Sequence, residues 1–340
     1  MKRRSLHTLL SALALAVVLG GCTKSAPPSV PEADAAKAPD KVRFQTDWFA
    51  QAEHGGFYQA LVKGYYKAAN LDVNIIPGGP GPTMGQLLLS GQIDLAMGRS
   101  DDVIVWSQQG LPFEIVAVYM ERDPQALLIH DEDPVKGFAD LNNRTVMVES
   151  SVHWLEYVRK KYHVAINQIP LNYGIGSFMA DKSFIQQCFV TDEPYYVRKS
   201  GGHPRTLMLA DSGYNPYRII FGTKAFIDAH PEAVRRFIAA SLRGWDEFMK
   251  GDADAAKAEI AKRNDNMPKE LIEYSIQAMK DHDIIYGKPE AGERLGLMTK
   301  QRMLELDQTL ADLKLIPQLM PLESFVRFDL LPAELQPAAQ

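Results

Sequence analysis

The chain has 340 residues, 46% of them hydrophobic and 23% charged, with 24 Gly and 21 Pro. That balance excludes a disordered chain, a coiled coil and a collagen, and the length suffices for two domains that bury their own cores. Lys and Arg number 37 against 42 Asp and Glu, a net charge of −5; losing Lys2, Arg3 and Arg4 with residues 1–21 takes it to −8, which argues against nucleic acid as a partner.

Residues 1–21 read as a signal peptide, with a basic start, an apolar run over 9–19 and small residues before Cys22. The string Leu19-Gly20-Gly21-Cys22 resembles a lipobox, which makes Cys22 the expected lipidation site. Residues 22–40 are small, polar and Pro-rich and read as a tether. Cys188 is the one other cysteine, so a lipidated Cys22 leaves no intramolecular disulfide, and its apolar neighbours predict a buried thiol. No later segment reaches the roughly 20 apolar residues of a membrane span. The folded body is expected from Lys41, lipid-anchored in the cell envelope and facing the periplasm or the exterior.

From there short β-type runs alternate with helical stretches. The pattern predicts strands at Val42–Thr46, Leu71–Ile76 and Ile93–Met97, with helices over 54–69 (ending near Asn70) and 83–90 between them. Ile115–Tyr119 and Ala126–His130 continue the strands, and the βαβαβ order predicts a mostly parallel sheet. A second set follows: a strand at Thr145–Val148, a helix over 152–163, and strands at Ile169–Asn172, Cys188–Thr191 and Thr206–Leu209. After a strand at Ile219–Gly222 the spacing turns helical over Pro231–Lys250, 253–264, 268–282 and 300–313. The expected divisions are 41–125 for the first part of one lobe, 126–214 for the second lobe, 215–330 for the return of the first lobe with the C-terminal helices, and 331–340 for a tail. Two such lobes would meet in a cleft beyond the carboxyl ends of their strands.

Familiar catalytic patterns are missing. Gly78-Gly79-Pro80-Gly81-Pro82 lacks the Gly-Lys-Ser/Thr of a phosphate loop, and its prolines remove backbone donors; it reads as a strand-to-helix turn. The histidines form no His-x-x-x-His pair, no Gly-x-Ser-x-Gly occurs, and neither a metal nor a cofactor is expected. The informative stretch is Asp47 to Tyr58, leaving the first strand for the first helix. Such a loop would bring Trp48 to the cleft, where an indole can stack on a flat ligand, with His54 at the start of the helix.

The run DWFAQAEHGGFYQALVKGYYKAANLDVNIIPGG is similar to the opening of solute-binding proteins of the nitrate/sulfonate/taurine and thiamine-pyrimidine-precursor type. Further matches are LSGQIDLA at 89–96, Gly137–Leu141, and Phe184–Tyr195 with its QQCFVTDEPY; together they cover roughly 42–245. The resemblance implies an α/β, two-lobed type II periplasmic binding fold with the ligand cleft between the lobes. It implies a monomer that binds a small molecule and delivers it to an ABC permease and its ATPase. The Asp-Trp opening points to the pyrimidine-precursor branch, in which a Trp stacks on the heterocycle and an acid before Pro bonds its amino groups; here these are Trp48 and Glu193. Position alone adds Arg99 and Ser100 after the third strand, Ser150 and Ser151 at the start of the 152–163 helix, and Tyr173, Tyr195 and Tyr217 near strand ends or lobe crossings. Asn70 stands where the family usually has Gly, which a left-handed cap tolerates. Arg99 facing the cleft would favour an anionic, nitrate- or sulfonate-type ligand instead. Two further readings stay open: a thiamine-pyrimidine-synthase-like enzyme, and a lipoprotein that scavenges a metal or presents a ligand to a sensor.

Overall fold

A computed structural model describes residues 38–79, 84–150 and 152–337. In chain order its elements are β1 (Asp40–Gln45), α1 (Gly55–Val62), α2 (Tyr65–Ala68), β2 (Leu71–Ile76), α3 (Met84–Leu89), β3 (Leu95–Arg99), α4 (Ser100–Gln108), β4 (Phe113–Met120), β5 (Gln125–His130), β6 (Thr145–Val148), α5 (Trp154–Tyr162), β7 (Asn167–Pro170), α6 (Gly176–Ala180), β8 (Ile185–Phe189), α7 (Glu193–Lys199), β9 (Pro204–Met208), β10 (Arg218–Thr223), α8 (Lys224–Ala229), α9 (Pro231–Lys250), α10 (Asp254–Arg263), α11 (Lys269–Asp281) and α12 (Lys300–Asp312). The expected signal peptide and Cys22 lie outside the described residues, as do most of the expected tether and Ser151. Among the described residues no helix is long and apolar enough to cross a membrane.

The strands form two five-stranded sheets, β2-β1-β3-β10-β4 and β7-β6-β8-β5-β9, each the centre of one lobe. β1 runs parallel to β2 and β3, but β10 is antiparallel to both β3 and β4. In the second sheet β6 is parallel to β7 and β8, while β5 is antiparallel to β8 and β9. Each sheet is therefore mixed rather than mostly parallel. The reason is connectivity: β5 and β10 enter their sheets from the other lobe, through residues 121–124 and through 209–217 with its single 3-10 turn Leu209–Ser212, rather than by a βαβ crossover that would set them parallel. Burial follows position in the sheet. Edge strand β2 alternates buried and exposed residues, whereas the inner strands β3 and β5 are buried throughout, as is β4, an edge strand that the segment Phe325–Arg327 covers by pairing with Ile115.

The single helix expected over 54–69 is two, because Gly64 takes a left-handed conformation (φ +73°) that breaks the ladder. Asn70 takes the left-handed form that its place before β2 requires, φ +53°. Gly55 and Gly56 serve packing. A Cβ on either would stand 2.1 Å from Phe248 or Trp245 of α9, and one on Gly244 would stand 2.2 Å from the Gly56 carbonyl. The Gly-Gly step thus lets α1 lie directly on α9, which holds the loop before α1 against the first sheet.

Candidate functional site

A cavity of about 630 Å³ opens where the carboxyl ends of β1, β3, β6 and β8 face one another. The first sheet and its helices contribute Asp47, Trp48, Glu53, Arg99, Asp102, Trp106, Tyr119 and Arg218; the second contributes Glu149, His153, Tyr173, Gln187, Asp192 and Glu193. Two aromatic rings meet across the mouth. Trp48 stacks on Tyr173, ring centroids 5.4 Å apart and planes 26° from parallel, and Phe49 stands edge-on to Trp48. Tyr173 has φ +58°, is 58% exposed, and donates its hydroxyl to Glu149 at 3.3 Å.

Both cavity arginines are already paired. Arg218, which opens β10, donates Nη1 to Asp47 at 3.0 Å, while its Nε lies 3.1 Å from Asp123 as an ion pair without hydrogen-bond alignment. Asp47 also receives His54 Nε2 at 2.9 Å. Burial works against ionising Asp47, but the His54 bond and the charges of His54 and Arg218 prevail and hold it at about 2. Arg99 ends β3 and donates Nε and Nη2 to the two oxygens of Asp102, at 3.2 and 3.0 Å. His153 reaches the same carboxylate from the other lobe at 3.3 Å. Burial disfavours the imidazolium, yet the bond to Asp102 and the charges of Asp101 and Asp102 raise the His153 pKa. Asp101, Asp102 and His153 are, among the described residues, the group whose donor atoms gather closely enough for a metal, within 4.8 Å. The Arg99 guanidinium already supplies the cation there, 3.5 Å from Asp101.

Among the described residues, the opposite wall carries acids and no cation. Glu53, Asp192 and Glu193 line it, and Glu193 accepts the Phe189 N–H at 2.8 Å. Burial, then the Asp192 charge, pushes Glu193 up to about 8; burial, then Glu53, pushes Asp192 up to about 7. Glu53 is raised by burial against the opposing pull of its bond from the Thr191 hydroxyl. The Tyr119 ring, stacked on Trp245 and edge-on to Phe57, forms the floor.

Residues 51–255 match the family described as NMT1/THI5 like. The chain belongs to that family. The riboflavin-binding protein RibY of Chloroflexus aurantiacus is 24% identical over 249 residues, 68% of this chain and 69% of RibY. A formylaminopyrimidine-binding protein of Halalkalibacterium halodurans is 26% identical over 264 residues, 72% of this chain and 78% of that protein. Among solved structures, the alkanesulfonate-binding protein SsuA from Xanthomonas axonopodis pv. citri bound to MOPS superposes with a TM-score of 0.64 at 14% identity, covering 86% of this chain and 99% of SsuA. That likeness establishes the two-lobed periplasmic binding protein fold.

In this NMT1/THI5-like chain the cavity gathers Trp48, Arg99, Tyr173 and Glu193 from the residues expected at the site. Trp48 and Glu193 come from opposite lobes, and Glu193, which follows the strand expected at Cys188–Thr191, begins helix α7. Ser151 lies outside the described residues, and the other five, His54, Ser100, Ser150, Tyr195 and Tyr217, sit off the cavity wall. His54 is fully buried behind the wall and holds Asp47. The Ser100 hydroxyl is consumed by the Tyr217 N–H at 3.0 Å. Tyr217 itself is buried beneath Arg302, whose guanidinium lies 3.7 Å from its ring. Tyr195 lies on the far face of α7, against Tyr196 and Tyr274. Ser150 is exposed and off the cavity wall. Cys188 is buried as expected, yet lines the cavity, with its thiol raised by burial and the Glu193 charge.

Residues missed from the sequence include Asp47, Glu53, Arg218, Tyr119, Asp102, His153 and Asp192. A charged residue opening the apolar strand Ile219–Gly222 was the available signal for Arg218.

Proposed function

We propose that this protein is the non-enzymatic solute-binding component of an ABC importer, and that it takes an uncharged, flat heterocycle bearing N–H donors. The observation that carries the ligand class is the charge arrangement of the cavity: both arginines are held by aspartates, while Glu53, Asp192 and Glu193 face the space with no cation among them. Such a wall offers acceptors to amino groups and no cation to hold a sulfonate or nitrate. Aromatic rings at the mouth add stacking for a planar solute. An aminopyrimidine of the thiamine-precursor type fits this chemistry, and the formylaminopyrimidine-binding relative supports it. The cavity volume favours a second reading within the same class. At about 30 Å³ per water, 630 Å³ holds roughly 20 waters, enough for a fused-ring heterocycle of the flavin kind, as the name of the RibY relative suggests.

Lipidation at Cys22 would keep this body near the membrane, and the two lobes, divided near residues 125 and 214, would present the solute to the permease and its ATPase. Native mass spectrometry of the purified protein tests the ligand class directly, followed by calorimetric titration with an aminopyrimidine, riboflavin and an alkanesulfonate. A retained planar heterocycle and tighter binding of either ring compound are expected. Tighter binding of the sulfonate would overturn the reading.

A further inference from the structure

We propose that Asp102 is a built-in anion: its carboxylate sits where the head group of an anionic solute would have to sit, on the edge of Arg99 and against His153, and thereby restricts the site to uncharged solutes. This rests on the reading that solute binds in this cavity. Arg99 precedes the first turn of α4, and Asp102, three residues on, turns back to meet it. Both carboxylate oxygens are used, one by Nε and one by Nη2, the two-point geometry by which a guanidinium grips a carboxylate or a sulfonate. The Arg99 side chain is only 11% exposed and that of Asp102 25%, so the pair is screened less than one at the surface. His153 adds a third donor from the other lobe, bridging the cleft through the same oxygen that Nη2 holds.

The neighbours are arranged so that Asp102 alone fills this seat. Asp101 turns its Oδ2 to the Tyr214 hydroxyl at 2.7 Å and reaches Arg99 only at 3.5 Å. Without the Asp102 carboxylate, one edge of Arg99 and the Nε2 of His153 would converge on an empty acceptor position open to the cavity. An Asp in the first turn of a helix is also stabilised by the helix dipole, a role that predicts nothing about anions in the cavity.

The test uses full-length protein, Asp102→Ala, Asp102→Ser and the double variant Arg99→Gln/Asp102→Ala, with methanesulfonate and formate as probes. Calorimetry should show methanesulfonate binding about 10- to 100-fold tighter to Asp102→Ala, which empties the seat, than to wild type, the worth of hydrogen bonds to a charged group, and the gain should vanish in the double variant. Formate should raise the melting temperature of Asp102→Ala more than that of wild type, a readout that holds even where the substitution destabilises the fold. Folded single variants with wild-type anion affinity, or a gain that persists without Arg99, would overturn the proposal. Titrating wild type in parallel with an aminopyrimidine and riboflavin separates the two readings: failure of both ring compounds sinks the proposed ligand class, whereas the anion gain on removing Asp102 tests the seat itself.

Discussion

Replacing Glu193 by Gln is expected to change solute affinity little at pH 6 and clearly at pH 9. Glu193 lies beside Asp192; burial and the Asp192 charge raise Glu193 to about 8, while burial and the Glu53 charge raise Asp192 to about 7, so Glu193 holds its proton near neutrality. A protonated Glu193 offers a donor and an acceptor, as a Gln amide does, so at pH 6 the swap should cost less than about twofold in affinity. At pH 9 the wild type offers a carboxylate. A hydrogen bond to a charged acceptor is worth about 1.5–3 kcal/mol against about 0.5–1.5 for a neutral one, a difference near 1–1.5 kcal/mol, or about 5- to 13-fold in the dissociation constant of an aminopyrimidine. Stability moves the other way. With its pKa raised from 4.5 to about 8, Glu193 contributes stability below its unfolded value that is lost as pH rises through the folded one, so Glu193→Gln should melt higher than wild type above pH 8 while binding worse. Calorimetric titration and thermal melts at pH 6 and 9 check both. An equal affinity loss at the two pH values, or a melting difference that does not grow with pH, would refute the argument.

Trp48→Ala should weaken aminopyrimidine and flavin alike, by about 0.5–1.5 kcal/mol of stacking beyond the lost area; unchanged affinity for both would remove Trp48 from the site. Asp47→Asn strips the buried Arg218 of one of its two acids, and by the usual cost of about 3–5 kcal/mol for breaking a buried pair the melting temperature should fall several degrees, the lower end applying because Asp123 remains. Because Asp47 is lowered from 3.8 to about 2, its stabilisation is present above the unfolded value and fades as pH falls through about 2, so the gap between this variant and wild type should narrow in strong acid. Cys22→Ser should release the protein from membranes with ligand affinity intact; continued membrane association would count against lipidation.

The sequence displayed its elements better than its site, and particular residues show why. Pro231 at the first helical turn and Gly251 at the end bound α9, and the predicted Pro231–Lys250 coincides with the observed helix. Pro194 was the same kind of signal, marking Glu193 as the start of a helix, but the apolar run before it favoured a strand ending at Thr191. Two residues further on, Tyr195 is some 200° around that helix from Glu193, so a site reached by one excludes the other. Ser100 and Tyr217 looked available because they are polar and lie at strand ends. Their partners are 117 residues apart in the chain, and only the fold reveals that each satisfies the other's backbone or packing need. The same distance problem hid Arg218, whose bond to Asp47 spans 171 residues.

Since the cavity walls come from both sheets, whatever fixes the two crossovers fixes the spacing of the walls. The Asn215 side chain joins the crossovers directly, accepting the Asp123 N–H at 3.0 Å and donating to the Glu121 carbonyl at 3.3 Å. Arg302, on α12, binds the carbonyls of Glu121 and Asn215 at 2.5 and 2.9 Å while its guanidinium lies over Tyr217. Tyr217 is thus the seat of this clamp, which accounts for its burial away from the solute. Burial raises the Glu121 carboxyl to about 9, against the pull of Arg302, so near neutrality that acid is protonated. Arg302 also reaches the Glu121 and Glu293 carboxyl groups at 3.4 Å each, so the backbone carbonyls and the aromatic face are the parts of the clamp whose charge does not change while the acids of the cavity wall take up and release their protons.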